Sequence, residues 1–299
     1  MKKSVSGSIM LLLATVIWGS AFVSQDIAMA HLPPFSFQAI RCAVAVIGLL
    51  PVIAIFDRIQ PEKINFFRGW ANKKLWLAGL LCGIPLFLAC NLQQLGLAGD
   101  TDAGKSGFLT AMYIVFVPII GIFRRKKPGI MVPVSVVLAV IGLYFLCCKE
   151  ALTIRTGDIL TLCCAIMFAV QITFVDIFAQ SIDALRLNAL QALVCAILSA
   201  IIAAFREQPT LDGVWSCVLP IAHTGLLSMG AGYALQILGQ KHLEPAIASL
   251  IMSLESVFAV IFALVILGNT LTPWEILGCA LVFSAVILSQ IELKPKKSA

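Results

Sequence analysis

The chain has 299 residues, of which 60% are apolar and only 12% charged, and its mean hydropathy is +1.00. Soluble domains carry about 25% charged residues, so water cannot be the main solvent of this protein's surface. The net charge of +6 does not indicate a nucleic-acid partner, because nearly all of the Lys and Arg residues lie between apolar runs or at their ends, as topology signals do. The ten cysteines lie almost entirely within apolar segments and are expected to act as small hydrophobic residues. We therefore expect no metal site, redox site or cofactor.

Apolar runs follow one another along the chain, and each is close to the roughly 20 residues that a bilayer-spanning helix needs. In chain order, the ten runs cover residues 8–28, 36–56, 75–97, 104–123, 130–148, 158–179, 187–205, 214–239, 246–267 and 273–291. The first run ends at Ala28-Met29-Ala30, which also resembles a signal-peptide cleavage site. Trp18-Gly19-Ser20 interrupts that pattern and favours retention of the run as the first helix. The predicted fold class is an all-α polytopic membrane protein of ten helices, without a soluble domain.

Basic residues concentrate in alternate connections between these runs. One side of the membrane would hold only Lys105, Lys149, Arg155 and Arg206. The other side would hold sixteen: Lys2, Lys3, Arg58, Lys63, Arg68, Lys73, Lys74, Arg124, Arg125, Lys126, Lys127, Arg186, Lys241, Lys294, Lys296 and Lys297. Cytoplasmic loops carry the excess of Lys and Arg, so both termini are predicted to be cytoplasmic. The expected location is a cell membrane, namely a bacterial inner membrane.

The chain also contains an internal repeat. Residues 7–50 align with residues 157–200 at an offset of 150, which pairs Gly7 with Gly157 and Asp26 with Asp176. Further on, an offset of 143 pairs Gln93 with Gln236, Gly96 with Gly239 and Ser106 with Ser249. The predicted halves are 1–149 and 150–299, and each would hold five spans, so the second enters the membrane from the opposite face. Inverted repeats are typical of alternating-access transporters, whose substrate sites lie near the midplane between the halves.

Several motifs resemble one family of transporters. They are Trp18-Gly19-Ser20-Ala21-Phe22, Arg41, residues 104–113 running on to Val117-Pro118, residues 243–246 and 254–255, and Leu277-Gly278. Together they resemble the EamA-type branch of the drug/metabolite transporter superfamily, over essentially the whole chain. The resemblance implies a carrier of ten helices in two repeats that moves amino acids, metabolites or drugs, often outward. One departure is Asn269, where the family often has an acidic residue after the ninth helix.

Glu255 is the clearest functional candidate, because it lies near the middle of the ninth span. A charge there costs about 2.5–3.5 kcal/mol to insert. We expect either a coupling or substrate-amine site, or a structural hydrogen bond between helices. Ser253 and Ser256 are pathway candidates on the same helix, but they point roughly 100° to 160° away from Glu255 at 3.6 residues per turn. The serines and Glu255 are therefore not expected to face one cavity directly.

Arg41 lies about one turn into the second span from the outer side, with Gln38 at position i−3. It could bind a carboxylate or extend to the outer headgroups. The repeat counterparts Asn188 and Gln191 keep the spacing and lose the charge. The recurrence of a polar face favours a cavity or a contact between helices over exposure to lipid.

Aromatic and amide side chains complete the candidate pathway. Trp18, Phe22 and Gln25 share one face of the first span at i, i+4 and i+7, where they could line the pathway or pack between helices. His223 is a second coupling candidate, since imidazole can carry protons, with a structural hydrogen bond as the alternative. The amides suit a polar solute, and they equally bridge helices at about 1 kcal/mol each. The remaining candidates are Asn91, Gln93, Gln94, Tyr113, Gln171, Tyr233 and Gln236.

The chain has no phosphate-binding loop of the Gly-x4-Gly-Lys-Ser/Thr type, so we do not expect ATP to drive it directly. The sequence predicts a secondary transporter or facilitator that exports a small organic solute by alternating access, with protons as the candidate coupling ion. An intramembrane enzyme would need clustered histidines and acids, whereas His31, His223 and His242 lie apart. A non-transporting sensor or scaffold would not need an inverted repeat. The expected partners are the bilayer and the solute, with no catalytic residue assigned.

Overall fold

The computed structural model describes residues 2–59, 65–99, 103–125, 129–147, 155–267 and 271–290, and these residues form helices joined by short turns. The helices of the first half are α1 (Lys2–Met29), α2 (Pro34–Ile59), α3 (Phe66–Gly69), α4 (Lys73–Ala98), α5 (Ala103–Ala111), α6 (Tyr113–Phe123) and α7 (Met131–Cys147). Those of the second half are α8 (Thr156–Phe178), α9 (Ala184–Arg206), α10 (Leu211–Ser216), α11 (Val218–Ala222), α12 (Tyr233–Gln240), α13 (Pro245–Met252), α14 (Leu254–Leu267) and α15 (Pro273–Ser289). A π-helical segment, His223–Gly232, joins α11 to α12. The predicted boundary between the halves, at 149/150, lies outside the described residues.

Eight helices within the described ranges are long and apolar enough to cross a bilayer. Three of them are composite: Lys105–Phe123, Val218–Gln240 and Pro245–Ile266 each run through more than one of the helices named above. Two further apolar helices, Met131–Leu146 and Pro273–Ser289, are shorter and occupy the places of the fifth and tenth predicted spans. The protein is therefore a helical multi-pass membrane protein.

Polar side chains lie inside the helix bundle and apolar ones cover its outside. Gln38, Gln171 and Asn188 are fully buried, whereas Phe205 and Phe123 are about 85% exposed. In water this distribution would leave a large apolar surface solvated, which is unfavourable by about 25 cal/mol for each Å². Surrounded by lipid, the same distribution is stable, because the amides find hydrogen-bond partners only in the interior.

Helices of one half pack mainly on helices of the other. The first helix, α1, packs on α12, α13, α14 and the π-helical segment, while its repeat counterpart α8 packs on α4, α5 and α6. Helix α2 packs on its counterpart α9, and α7 packs on α15. The interior is thus an interface between the two halves.

Two reciprocal contacts join the ends of α2 and α9. At the end of α2, Asp57 Oδ2 accepts a hydrogen bond of 2.5 Å from Arg186 Nη2, at the start of α9. Just beyond the end of α9, Glu207 Oε2 accepts hydrogen bonds of 2.7 Å from both the backbone N–H and the hydroxyl of Ser36, at the start of α2. Because the end of each helix meets the start of the other, α2 and α9 run antiparallel. Asp57 and Glu207, like Ser36 and Arg186, are exactly 150 positions apart in the chain.

Glycines allow the closest approaches between helices. Gly79 and Gly83 form a Gly-x-x-x-Gly motif in α4, and a Cβ added at either would lie 2.6 or 2.7 Å from α9 side chains, which explains why both positions are glycine. Two repeat-related contacts are also close, since a Cβ at Gly239 would meet the carbonyl of Gly7 at 2.9 Å and one at Gly96 would meet that of Gly157 at 3.0 Å.

Gly278→Ala is expected to destabilise the protein by about 1–3 kcal/mol, the usual cost of overpacking. Its Cβ would lie 2.6 Å from both the carbonyl oxygen of Gly142 and the amide nitrogen of Leu146, and these backbone atoms of α7 cannot move aside as a side chain can. The measurement is the midpoint of thermal unfolding of the purified protein in detergent. Gly107→Ala is the matched control, because nothing lies within 4 Å of its added Cβ. An equal loss of stability in both variants would contradict the assigned contact.

Candidate functional site

A small cavity lies at the centre of the bundle, between the two halves. Its volume is about 50 Å³, enough for a few water molecules. The helices that reach it are α1, α2, α4, α5, α6, α8, the π-helical segment, α12, α13 and α14. The lining residues are Trp18, Phe22, Gln25, Arg41, Cys90, Gln93, Thr110, Tyr113, Phe168, Gln171, Ile172, Ser228, Tyr233, Gln236, Met252 and Glu255.

Arg41 brings a buried positive charge to this cavity. Its side chain donates to Gln38 Oε1 at 2.7 Å through Nε and to Gln25 Oε1 at 2.8 Å through Nη1. Its guanidinium carbon lies 5.4 Å from the centre of the Phe37 ring. Arg41 is only 3% exposed, so it does not extend to the headgroups. Both of its amide partners are neutral, and no ion pair with another described residue compensates its charge.

Glu255 lies at the same cavity, next to breaks in two helices. Its Oε1 accepts a hydrogen bond of 3.1 Å from the hydroxyl of Tyr113. Tyr113 begins α6 directly after a break at Met112, and Glu255 follows a break at Ser253. At both breaks the backbone closes a tighter i→i+3 hydrogen bond, from Val115 to Met112 and from Ser256 to Ser253. The breaks divide the predicted fourth and ninth spans, and discontinuous helices often form substrate sites in transporters.

A chain of amides crosses between α12, α8 and α9. Gln236 Nε2 donates to Gln171 Oε1, Gln171 Nε2 donates to Gln191 Oε1, and Gln191 Nε2 donates to Asn188 Oδ1, at 2.9–3.1 Å. The Gln191–Asn188 bond repeats the Arg41–Gln38 bond on the counterpart helix. Gln236 Oε1 is buried without a hydrogen-bond partner. The lining of the cavity therefore includes an acceptor that a polar solute can satisfy.

The π-helical segment places backbone carbonyls near the cavity. Asn188 Nδ2 donates to the carbonyls of Met229 and Gly230 at 3.1 and 2.7 Å. Trp18 Nε1 donates to the carbonyl of Ser228 at 3.3 Å, and its ring lies 5.1 Å from that of Tyr233. Such segments are frequent at functional sites. Here its carbonyls are held by side chains from α1 and α9.

Other predicted candidates lie apart from the cavity lining. Three of them bond to groups at the cavity: Gln38 to Arg41, Asn188 to the π-helical segment, and Gln191 to Gln171. Asn91 donates to Ser199 Oγ at 2.9 Å, and Gln94 donates to Met29 Sδ at 3.5 Å.

The remaining candidates make local contacts. His223 hydrogen-bonds with Ser20 and Ser24 of α1, at 3.1 and 2.8 Å. Ser253 bonds within its own helix, and Ser256 Oγ is buried without a partner. As the helical geometry predicts, Glu255 and the two serines do not share the cavity.

Sequence reasoning missed Cys90, Thr110, Phe168, Ile172, Ser228 and Met252 as cavity residues. The repeat offsets contain a signal for several of them. Phe168 and Ile172 are the counterparts of Trp18 and Phe22 at 150, and Cys90 is the counterpart of Tyr233 at 143. The cavity is therefore lined by equivalent positions of the two halves.

A second, larger cavity opens beside the central one. It has a volume of about 670 Å³ and is lined by Lys3, Val117, Pro118, Gly121, Arg124, Thr173, Asp176, Lys241, His242, Leu243, Glu244, Pro245 and Ala246. Arg124 Nη1 and Asp176 Oδ2, on α6's end and α8, form an ion pair of 3.2 Å. Val117 lies about one helical turn from Tyr113, and Thr173 directly follows Ile172. We refer to this cavity, whose basic residues belong to the side predicted to be cytoplasmic, as the vestibule.

These features define a multi-pass membrane protein with a polar cavity between two halves, the arrangement of a solute carrier. The EamA-like transporter family matches residues 5–148 and again residues 155–290, so the chain belongs to this family of membrane transporters. Asn269, the noted departure from the family pattern, lies outside the described residues.

Individual relatives agree with the family. An uncharacterized transporter of Archaeoglobus fulgidus is 31% identical over 284 residues, covering 95% of this chain and 85% of the relative. The uncharacterized transporter YoaV of Bacillus subtilis is 23% identical over 291 residues, covering 95% and 96%. One solved crystal structure superposes with a TM-score of 0.78 over 96% of each chain at 15% identity, a likeness that shows the fold alone.

Proposed function

We propose that this protein is a secondary transporter that exports a small zwitterionic organic solute in exchange for protons, by alternating access at the central cavity. The observation that carries the proposal is that Arg41 and Glu255, a cationic side chain and a carboxyl group that can ionise, line one buried cavity. Neither forms an ion pair with a described residue. Burying an uncompensated charge is costly, and a ligand of opposite charge removes that cost. A solute with an anionic and a cationic end compensates both residues at once.

Each end of the solute has a suitable partner. The planar guanidinium of Arg41 can donate to both oxygens of a carboxylate, and it stays charged throughout the cycle. Glu255 can accept hydrogen bonds from an ammonium group. Trp18, Phe22 and Tyr113 provide apolar and aromatic surface between these groups. A cavity that combines charged side chains with aromatic surface favours a small organic solute over an inorganic ion.

Glu255 can also couple transport to protons. Its carboxylate can hold a proton or accept bonds from the solute's cationic end, and the two uses exclude each other. Mutually exclusive binding at one site is the minimum requirement for exchange. A proton arriving from outside would displace the solute, and a solute arriving from the cytoplasm would displace the proton.

The reciprocal contacts of the fold support two inverted halves. Since α2 and α9 run antiparallel, these two counterpart helices enter the membrane from opposite faces. A two-fold rotation that exchanges the halves would also exchange the Asp57–Arg186 contact with the Glu207–Ser36 contact. We propose that the two short apolar helices also cross the bilayer, for ten crossings with both termini in the cytoplasm of a bacterial inner membrane. The vestibule would then face the cytoplasm and load the solute. A central cavity of about 50 Å³ must widen to admit it, which is the movement that alternating access requires.

A set of analogues that differ only in charge tests the proposal. Binding is measured as the shift in thermal unfolding of the purified protein in a screen of free α-amino acids. The amino acid that shifts it most is then compared with its methyl ester, which lacks the anionic end, and its N-acetyl form, which lacks the cationic end. We expect each analogue to bind at least tenfold more weakly, because it leaves Arg41 or Glu255 uncompensated, and a charged hydrogen bond is worth about 1.5–3 kcal/mol. Equal shifts from all three compounds would refute a zwitterion site.

A further inference from the structure

The short helix α3 and its flanks form a basic, aromatic surface that lies outside both the central cavity and the vestibule. Arg58, Arg68, Lys73 and Lys74 are all exposed here. Phe67 is 81% exposed and Ile59 is 74% exposed among them. We refer to these six residues together with Trp76 as the α3 patch. No acidic residue within the described part of the chain forms an ion pair with any of its four cations.

The backbone of the α3 patch is held firmly in place. Asn65 Oδ1 accepts a hydrogen bond from the backbone N–H of Phe67 in α3, and Asn72 Oδ1 accepts one from that of Lys74 in α4, at 3.0 Å each. The indole of Trp76 donates to the carbonyl of Trp70 at 2.8 Å, and the guanidinium of Arg186 lies 5.6 Å from the Trp70 ring. Phe66 packs against Trp70, with ring centres 6.1 Å apart. These hydrogen bonds and ring contacts hold the backbone that carries the exposed cations and rings.

Helix α10, the counterpart of α3 in the second half, can be compared with it. Helix α10 follows α9 as α3 follows α2, and it too exposes large apolar side chains, Leu211 at 78% and Trp215 at 74%. Residues 206–217 contain a single basic residue, Arg206 in the last turn of α9, and also include Glu207 and Asp212. Both short helices thus have the apolar anchors of a membrane interface, and only α3 combines them with a cluster of cations. The difference agrees with the predicted topology, in which α3 lies on the cytoplasmic side and α10 on the other, and it places the cations of α3 beside its apolar anchors.

We propose that the α3 patch binds anionic phospholipid, with the phosphate of the headgroup on its Lys and Arg side chains and the acyl region against Phe67 and Trp76. Arg and Lys donate charge-assisted hydrogen bonds to phosphate oxygens, and basic clusters beside a transmembrane helix attract anionic lipids. The exposed Phe67 and Ile59 select against a soluble anion or a nucleic acid, since these side chains need hydrocarbon. This inference goes beyond the proposed transport and does not depend on the solute.

Native mass spectrometry of the full chain in detergent tests the α3 patch, with phosphatidylglycerol and phosphatidylcholine as probes. We expect the wild type to retain phosphatidylglycerol preferentially. The variant Lys73→Gln/Lys74→Gln should lower that preference at least fivefold, since each basic residue contributes about 1 kcal/mol to binding an anionic surface. Lys3→Gln/Arg125→Gln is the matched control, because it removes two exposed cations elsewhere on the same predicted side.

A second pair of variants tests the apolar part of the patch. Phe67→Ser should weaken phosphatidylglycerol retention, while Trp215→Ser on α10 should leave it unchanged. All four variants alter exposed side chains, and their elution in size-exclusion chromatography reports that they remain folded. Equal retention of both lipids by the wild type, or equal loss of preference in Lys73→Gln/Lys74→Gln and its control, would overturn the proposal. Neither result bears on solute exchange, so the two proposals fail independently.

Discussion

Glu255→Gln is expected to abolish the accumulation of solute driven by a proton gradient in proteoliposomes, with a decrease of at least tenfold. The amide has nearly the shape of the carboxylic acid, and it can neither release a proton nor carry a negative charge. The hydrogen bond from the Tyr113 hydroxyl, now 3.1 Å long, can persist to the amide oxygen, so the fold should tolerate the change. The loss follows because the cationic end of the solute forgoes a charged hydrogen bond worth about 1.5–3 kcal/mol, where about 1.4 kcal/mol is a factor of ten.

Ser256→Ala is the matched control for this experiment. Ser256 is the next residue of α14, is also buried, and has a hydroxyl without a hydrogen-bond partner. It does not line the cavity, so its removal should leave proton-driven accumulation unchanged. If Glu255→Gln accumulates solute with the proton dependence of the wild type, Glu255 is not the coupling residue. If Ser256→Ala fails as badly as Glu255→Gln, the effect belongs to the packing of α14 and not to the carboxylate.

Arg186→Ala is expected to give the largest loss of stability, about 3–5 kcal/mol, because it leaves the buried carboxylate of Asp57 without its cation. The two side chains are only 3% and 5% exposed and lie 2.5 Å apart. Arg186 also packs over Trp70, so its loss loosens the contact between α9 and the segment that follows α2. The measurement is the thermal unfolding midpoint in detergent, at a pH where carboxylates are ionised.

The double variant Asp57→Asn/Arg186→Gln separates the charge from the packing. It keeps side chains of similar size and removes both charges, so its loss of stability should be clearly smaller than that of Arg186→Ala. Single and double variants with the same unfolding midpoint would show that the stability comes from packing alone. An Arg186→Ala protein as stable as the wild type would contradict the buried ion pair itself.

Helix positions could be read from the sequence, because the length of an apolar run is a local property that the bilayer selects directly. The eight helices long enough to span a membrane correspond to predicted runs, and family membership followed from motifs along the chain. The breaks at Met112 and Ser253 were not visible, since neither residue is a helix breaker. The cost of such breaks is recovered only through packing in three dimensions.

The candidate site could be predicted only in part. Trp18, Gln25, Arg41 and Glu255 were found because charged, amide and aromatic residues within apolar runs stand out in one dimension. Met252 and Ile172 were missed, because an apolar residue at a cavity looks like any other in the sequence. Gly107 shows that a small residue on a helix does not by itself indicate a close contact, since no atom lies within 4 Å of its added Cβ.

The sequence by itself determined that this protein lies in a membrane, that its halves are related, and which few charges its interior must accommodate. Each of these follows from the free energy of transferring single side chains or short segments between water and lipid, which needs no knowledge of distant neighbours. Only the tertiary structure decided that Arg41 and Glu255 face one cavity, and that Asp57 and Glu207 make equivalent contacts at opposite ends of α2 and α9. Those outcomes depend on how helices far apart in the chain pack together, and the composition of each helix does not specify its neighbours.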